Sequence, residues 1–210
     1  MAKIRQSVPL KVGAAQVDAE IISFFGLESG LEHIAIKFVR KSADVTSPII
    51  RIHSECLTGD IFHSSRCDCG EQLEESLSLL DNAGGILLYL RQEGRGIGLY
   101  NKLDAYALQD SGLNTYEANV RLGFAEDQRQ FSEAAEMLKA LDIDRVQLIT
   151  NNPVKREQLE ANGIIVEKTI PTSAHTKPGN LAYLKAKQAQ GKHSLNLNED
   201  PETEITHFID

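Results

Sequence analysis

Three cysteines, Cys56, Cys67 and Cys69, fall within fourteen positions of a 210-residue chain that has no others. An odd number of thiols so close together argues against a disulfide framework and for metal binding or catalysis. Cys67-Asp68-Cys69 puts two sulfurs either side of one residue at the entry to a helical pattern, and a helix N-terminus favours the thiolate. Thiolates are good zinc ligands, so the three sulfurs can converge on one Zn2+. Structural zinc sites close with a fourth protein ligand, which His53, His63 or Asp68 would have to supply. A catalytic site leaves that position to a water, whose pKa zinc brings down toward ~7. The remaining alternative is three buried thiols with no metal.

These residues need a frame. The run "PIIRIHS" reads as a strand leading to Cys56. From Cys69 onward Leu73, Leu77 and Leu80 share one face while Glu71, Glu74, Glu75 and Ser78 fall elsewhere, which predicts an amphipathic helix closing near Gly84-Gly85. "GILLYLRQ" then has the continuous apolar pattern of a strand buried on both faces. Upstream, residues 9 to 39 hold the short runs "AEIISFF" and "HIAIKFV", broken by Gly26 and Glu28-Ser29-Gly30, and predict a sheet edge or small barrel. Downstream, helices are expected at about 96 to 111, 115 to 121 and 131 to 141, and "RVQLIT" as a buried strand. Pro153 stands where a helix starts; Gly163, the strand "IIVEKTI" and a Lys-rich helix near 180 to 190 follow. The expected class is α/β (α+β mixed), an N-terminal β-rich portion followed by alternating strands and helices around a zinc site. Residues 1–191 are expected to form one catalytic domain, and 192–210 an acidic, disordered tail.

The formal net charge is -8, and residues 192 to 210 carry half of it, one lysine against five carboxylates. So acidic a chain lacks the basic footprint of a nucleic-acid binder. A phosphate ligand must be met by a local cluster, for which Arg51, Arg66, Arg91, Arg95, Arg129 and Lys155 are the candidates. No apolar run approaches the ~20 residues that span a bilayer, and the first residues lead into no signal-peptide core, so a cytoplasmic protein is expected.

Several further strings carry two readings each. "EGRGIG" has glycines at alternate positions, which permits a close backbone approach to phosphate or simply a turn. In "TNNPVK" free amides at a helix start suit an anion, while Asn152 suits an ordinary cap. Asp127 and Arg129 read as a surface ion pair or as reacting groups. Tyr106 is either a half-buried helix aromatic or a hydrogen-bond donor. His53-Ser54-Glu55 imitates half of a zinc-deaminase signature, but no Pro-Cys-x-x-Cys follows.

Four stretches in order, "RIHSECLTGDIFHSSRCDCGEQL", "YLRQEGRGIGL", "GFAEDQR" and "TNNPVK", closely resemble the motifs of the GTP cyclohydrolase II family, with no substitution in a matched motif. The resemblance covers residues of about 50 to 170. It implies that Cys56, Cys67 and Cys69 bind zinc, and that GTP is held by Arg51, Ile52, His53, Ser54, Glu55, Gln72, Glu93, Gly94, Arg95, Thr115, Thr150 and Lys155. It implies catalytic roles for Asp127 as proton acceptor, Arg129 as nucleophile on the α-phosphate, and Tyr106 near the ring-opening centre. On chemistry alone, a guanidinium with pKa above ~12 suits charge stabilisation during pyrophosphate loss. The implied reaction takes GTP, with Mg2+ on its triphosphate, to formate, pyrophosphate and 2,5-diamino-6-(5-phospho-ribosylamino)pyrimidin-4(3H)-one, the first step of riboflavin synthesis. A homodimer is implied too. Family members are often fused to a dihydroxybutanone phosphate synthase domain, and this length predicts the single-function form. The alternatives are a related zinc-dependent nucleotide hydrolase and a non-enzymatic nucleotide sensor stabilised by zinc.

Overall fold

β-Branched and aromatic runs become strands and the 3.6-residue apolar stripes become helices. The computed structural model describes residues 2–13, 15–38, 46–177, 179–180, 183–184 and 188–189. The acidic tail at 192–210 and most of the helix expected near 180 to 190 lie outside the described residues. The strands are β1 (Lys3–Val12), β2 (Val17–Phe25), β3 (Ile34–Phe38), β4 (Ile49–Ser54), β5 (Gly85–Leu90), β6 (Arg145–Ile149) and β7 (Ile165–Ile170). The helices are α1 (Leu57–Asp60), α2 (Cys69–Ala83), α3 (Leu99–Asp110), α4 (Thr115–Arg121), α5 (Ser132–Ala140) and α6 (Pro153–Ala161).

One seven-stranded sheet runs in the order β1-β2-β3-β5-β4-β6-β7. β1, β2, β3 and β5 pair antiparallel, and β5, β4, β6 and β7 pair parallel. Of the two N-terminal expectations the sheet edge is what forms: β1 ends the strand order instead of closing a barrel. The mixed α/β class holds, and the parallel half is the part covered by helices on both faces.

On one face Ile50, Ile52, Ile86, Leu88 and Leu148 pack with Ala134, Met137 and Leu138 of α5 and Leu159 of α6. On the other face Leu87 and Ile149 pack with Leu79 and Leu80 of α2. A buried leucine of this kind contributes roughly 1.5–3 kcal/mol, so the unbroken apolar run of β5 is fully used. Because strand residues alternate, Arg51 and His53 of β4 point away from Ile50 and Ile52, toward the α2 side, and are themselves buried.

Helix α3 begins later than its sequence pattern suggests. Residues Gly94, Arg95, Gly96 and Gly98 all take positive φ, at 63°, 61°, 95° and 87°, so the chain makes a left-handed turn before it can become a right-handed helix. Among the described residues no helix is long and apolar enough to cross a membrane.

The connections decide where a ligand fits. The β4–β5 crossover carries α2 over one face, and the β6–β7 crossover carries α6 over the opposite face. β4 and β6 are neighbours, so their carboxyl ends open into a crevice between the N-termini of two helices that diverge.

Candidate active site

The three cysteine sulfurs lie within 4.8 Å of one another, the only such group of potential ligands among the described residues. Cys56 follows β4 and caps α1; Cys67 and Cys69 stand at the entry to α2. Cys56 Sγ and Cys67 Sγ are 3.7 Å apart. Sulfurs bound tetrahedrally at a Zn–S distance of ~2.3 Å sit about 3.8 Å apart, so this donor set fits zinc. None of the proposed closing ligands joins it: His53 Nε2 is 3.1 Å from Asp60 Oδ1, and Asp68 Oδ2 accepts from Gln72 Nε2 at 2.6 Å. The thiol of Cys56 is held far below the usual range, first by the thiols of Cys67 and Cys69 and then by Lys102. The same contact with Cys56 pushes Cys67 up to about 11 and Cys69 up as well.

Two glycines bring the ligand loops together. A Cβ on Gly59 would lie 2.8 Å from Cys67 Sγ and 3.1 Å from Cys56 Sγ, and one on Gly70 would lie 2.5 Å from the Gly59 carbonyl oxygen. The backbone of α1 therefore rests directly on the start of α2. Asp60 anchors this corner: its carboxylate accepts the Cys56 N–H at 3.0 Å and the Tyr89 hydroxyl at 2.8 Å, besides its contact with His53.

A cavity opens on the cysteines and is bounded by Glu93, Tyr106, Thr115 and Arg95. Tyr106 Oη is 3.2 Å from Thr58 Oγ1, and burial raises its pKa, so the phenol stays protonated. Glu93 is already engaged: Oε1 accepts from the Gly94 N–H and from Lys102 Nζ, both at 2.7 Å, and Oε2 accepts the Leu57 N–H at 2.6 Å. A carboxylate has about four acceptor positions, which leaves one for a ligand. Arg95 stacks over the Tyr116 ring at 4.1 Å.

The crevice between β4 and β6 is a second cavity. Arg51, Lys155 and Arg129 line it together with Gln72 and Thr150, so its charge is positive. Asn152 caps α6 by accepting the Val154 N–H at 3.0 Å, so the capping reading of "TNNPVK" is realised at the mouth of this cavity. Ser54, Cys69, Arg129 and Tyr183 line both cavities, which places the cysteine cluster at their junction. Arg51 Nε, Ser54 Oγ and Arg95 Nη1 are buried without a hydrogen-bond partner. Buried polar atoms are normally satisfied, and all three belong to residues that line the two cavities.

The other expected residues distribute unevenly. Glu55 lines the first cavity and takes a hydrogen bond from Arg91 Nε at 3.0 Å; Gly94 lines the first cavity and His53 the second. Ile52 is wholly buried in the core, and its carbonyl oxygen accepts from Lys155 Nζ at 2.7 Å. Asp127 lines neither cavity; it grips Arg129, whose Nε is 2.9 Å from Asp127 Oδ1. Burial opposes the Asp127 charge, but Arg129 and then Arg95 outweigh it and hold the carboxyl below its ordinary range, which makes it a weak base. Arg91 lies outside both cavities and Arg66 pairs with Asp110 at 2.8 Å. The glycines of "EGRGIG" make the left-handed turn beside the cysteine cavity and stand apart from the basic one.

Sequence reasoning missed Lys102, Asp60 and Tyr183. Lys102 shares a helix face with Ala105 and Tyr106, three and four residues on, which was a usable signal. Tyr183 arrives on a C-terminal strap tied to α2: Glu75 accepts the Ser173 N–H at 3.1 Å and contacts His175 Nε2 at 3.0 Å, and Lys177 pairs with Glu71.

The family model for GTP cyclohydrolase II matches residues 4–171. The GTP cyclohydrolase-2 of Vibrio cholerae serotype O1 is 60% identical over 200 residues, covering 94% of this chain and 100% of that protein. That of Vibrio vulnificus is also 60% identical, with the same coverage. The riboflavin biosynthesis protein RibBA of Cytophaga hutchinsonii is 43% identical over 180 residues, covering 85% of this chain and 44% of that longer protein.

Proposed function

This chain belongs to the GTP cyclohydrolase II family, and on that premise we propose that it opens the imidazole ring of GTP at guanine C8. Formate and pyrophosphate leave, and 2,5-diamino-6-(5-phospho-ribosylamino)pyrimidin-4(3H)-one is released toward riboflavin synthesis. The observation that carries the reading is the cysteine cluster at the junction of two cavities, one lined by carboxylates and cations together and the other by cations without a carboxylate. That order matches a nucleotide whose reacting carbon lies between its base edge and its phosphates.

Cys56, Cys67 and Cys69 hold zinc. Bound there, the ion supplies Lewis acidity that activates water at neutral pH. The protonated Tyr106 donates toward the ring nitrogen that departs. The guanine edge meets the last acceptor position of Glu93, and the wrong base leaves that carboxylate unsatisfied. Arg51, Lys155 and Thr150 would take the phosphates, whose negative charge Mg2+ would share with them. Arg129, held by Asp127, faces both cavities and stabilises the charge that grows as pyrophosphate leaves. Asp127 thus serves to orient Arg129, and its depressed pKa speaks against the role of general base.

The protein acts in the cytoplasm as a homodimer. The exposed apolar residues Ile4, Val8 and Leu10 on the edge strand β1 support the second point, which sedimentation would test.

The test of the activity is incubation of metal-quantified protein with GTP and Mg2+, following formate, pyrophosphate and pyrimidine absorbance together, with ATP as control. All three products from GTP alone, at about one zinc per chain, are expected. Zinc and bound GTP without formate would sink the proposal and favour a sensor.

A further inference from the structure

Lys102 is a buried lysine on α3 that no motif of the site accounts for. Its Nζ lies 3.1 Å from Cys56 Sγ and 2.7 Å from Glu93 Oε1. An ammonium has three donors on one atom, so it can serve a sulfur and a carboxylate at once, which a planar guanidinium cannot do from the same point. The stem is held as closely as the head: a Cβ on Gly94 would lie 3.1 Å from Lys102 Cβ, so the base-side turn packs against the lysine where only glycine leaves room. A buried ammonium with one partner is costly, and two anions brought together without a cation repel. Each of these three groups therefore answers the charge of the others.

We propose that Lys102 is a positioning residue that couples the metal-binding sulfur of Cys56 to the base-facing carboxylate of Glu93 by giving one N–H to each. The inference rests on the reading of the cysteines as a zinc site. A thiolate that accepts an N–H gives less electron density to its metal, which leaves the metal a stronger Lewis acid. The second N–H locks the Glu93 carboxylate in one orientation toward the cavity. Metal acidity and base recognition are then set by one side chain. A lysine that only balanced Glu93 would have no reason to lie on the sulfur.

The experiment replaces zinc by Co2+ in the whole protein and reads the sulfur-to-cobalt charge-transfer band in the near ultraviolet. In Lys102→Met the sulfur loses its donor, its lone pairs rise in energy, and the band moves to longer wavelength. Glu93→Gln keeps the N–H···S contact and leaves the band in place. Zinc-loaded Lys102→Met loses about 10- to 100-fold in turnover of GTP, the usual effect of removing a partner of a metal ligand. An unmoved band in cobalt-loaded Lys102→Met overturns the proposal whatever the turnover does. If that variant fails to fold, Lys102→Gln, one atom too short to keep the contact, gives the same reading. The band is visible whether or not the protein turns over GTP, so failure of the cyclohydrolase reading and failure of this one are told apart.

Discussion

The carboxylate of Asp60 accepts the backbone N–H of Cys56 at 3.0 Å, so the loop that carries the first sulfur is fixed by a residue that lines neither cavity itself. The same carboxylate collects Tyr89 and His53, and its side chain is almost wholly buried. Asp60→Asn keeps the shape and one acceptor oxygen but loses the charge. The expected result is a folded protein whose zinc affinity falls by about 10- to 100-fold, measured by competition with a chromophoric chelator. Wild-type affinity in that variant would remove Asp60 from the metal centre.

Gly59→Ala is expected to separate metal binding from folding in another way. The new methyl has nowhere to go except toward Cys67 Sγ and Cys69 Cβ, each 2.8 Å away. The strain of inserting a carbon there is ~1–3 kcal/mol, and its relief pushes the sulfurs apart. Metal analysis should find substoichiometric zinc, and calorimetry a lower Tm. Full zinc occupancy would mean the α1–α2 contact is looser than its geometry.

Acid stability is expected to turn on another buried pair, His33 and Glu133. His33 Nδ1 accepts the Arg91 N–H at 2.9 Å, so its proton sits on Nε2, which donates to Glu133 at 2.7 Å. Burial lowers the His33 pKa from 6.5 despite Glu133, with Arg91 adding to the lowering and Glu55 opposing it. Burial works against the Glu133 charge, but its hydrogen bonds from Ser29 and His33 bring its pKa below 4.5. Both groups bind fewer protons when folded than when unfolded, so both contribute stability that is lost on acidification. The histidine share goes as pH falls below 6.5, and the glutamate share as it falls below 4.5. Denaturant melts of His33→Gln should be flatter than wild type between those values. An unchanged slope would refute the assignment.

The strap that carries Tyr183 is held to α2 chiefly by Glu75. Glu75→Ala removes two hydrogen bonds from it; a net loss of ~1.4 kcal/mol would weaken the docking of Ser173 and His175 on α2 about tenfold. Because Tyr183 borders both cavities, KM for GTP should rise while zinc content stays at the wild-type level. An unaltered KM would make the strap packing only.

Much of this was readable before any coordinates. The cysteine spacing, the apolar run of β5 and the leucine stripe of α2 each report one local requirement, burial or ligation, and each appears where its pattern puts it. The start of α3 differs from the expectation because glycines permit helix and left-handed turn alike, and tertiary contacts such as the Gln128 N–H on the Arg95 carbonyl accompany the turn. Arg91, expected among the phosphate cations, is drawn off by Glu55. Lys102 and Asp60 were missed for a common reason. A charged residue on an amphipathic helix reads as solvated until the partner that neutralises it is known, and Cys56 lies forty-six residues from Lys102.

The two halves of the site differ in how far the chain must travel to make them. Cys56 and Cys67 are eleven residues apart, a short loop to close, whereas Arg51 reaches Ile149 and Lys155 reaches Ile52 across separations of 98 and 103 residues. During folding the sulfur cluster can therefore assemble early, while the basic crevice waits for β6 to dock beside β4. A preparation that has captured its full complement of zinc has thus passed only the first of two milestones toward a competent enzyme.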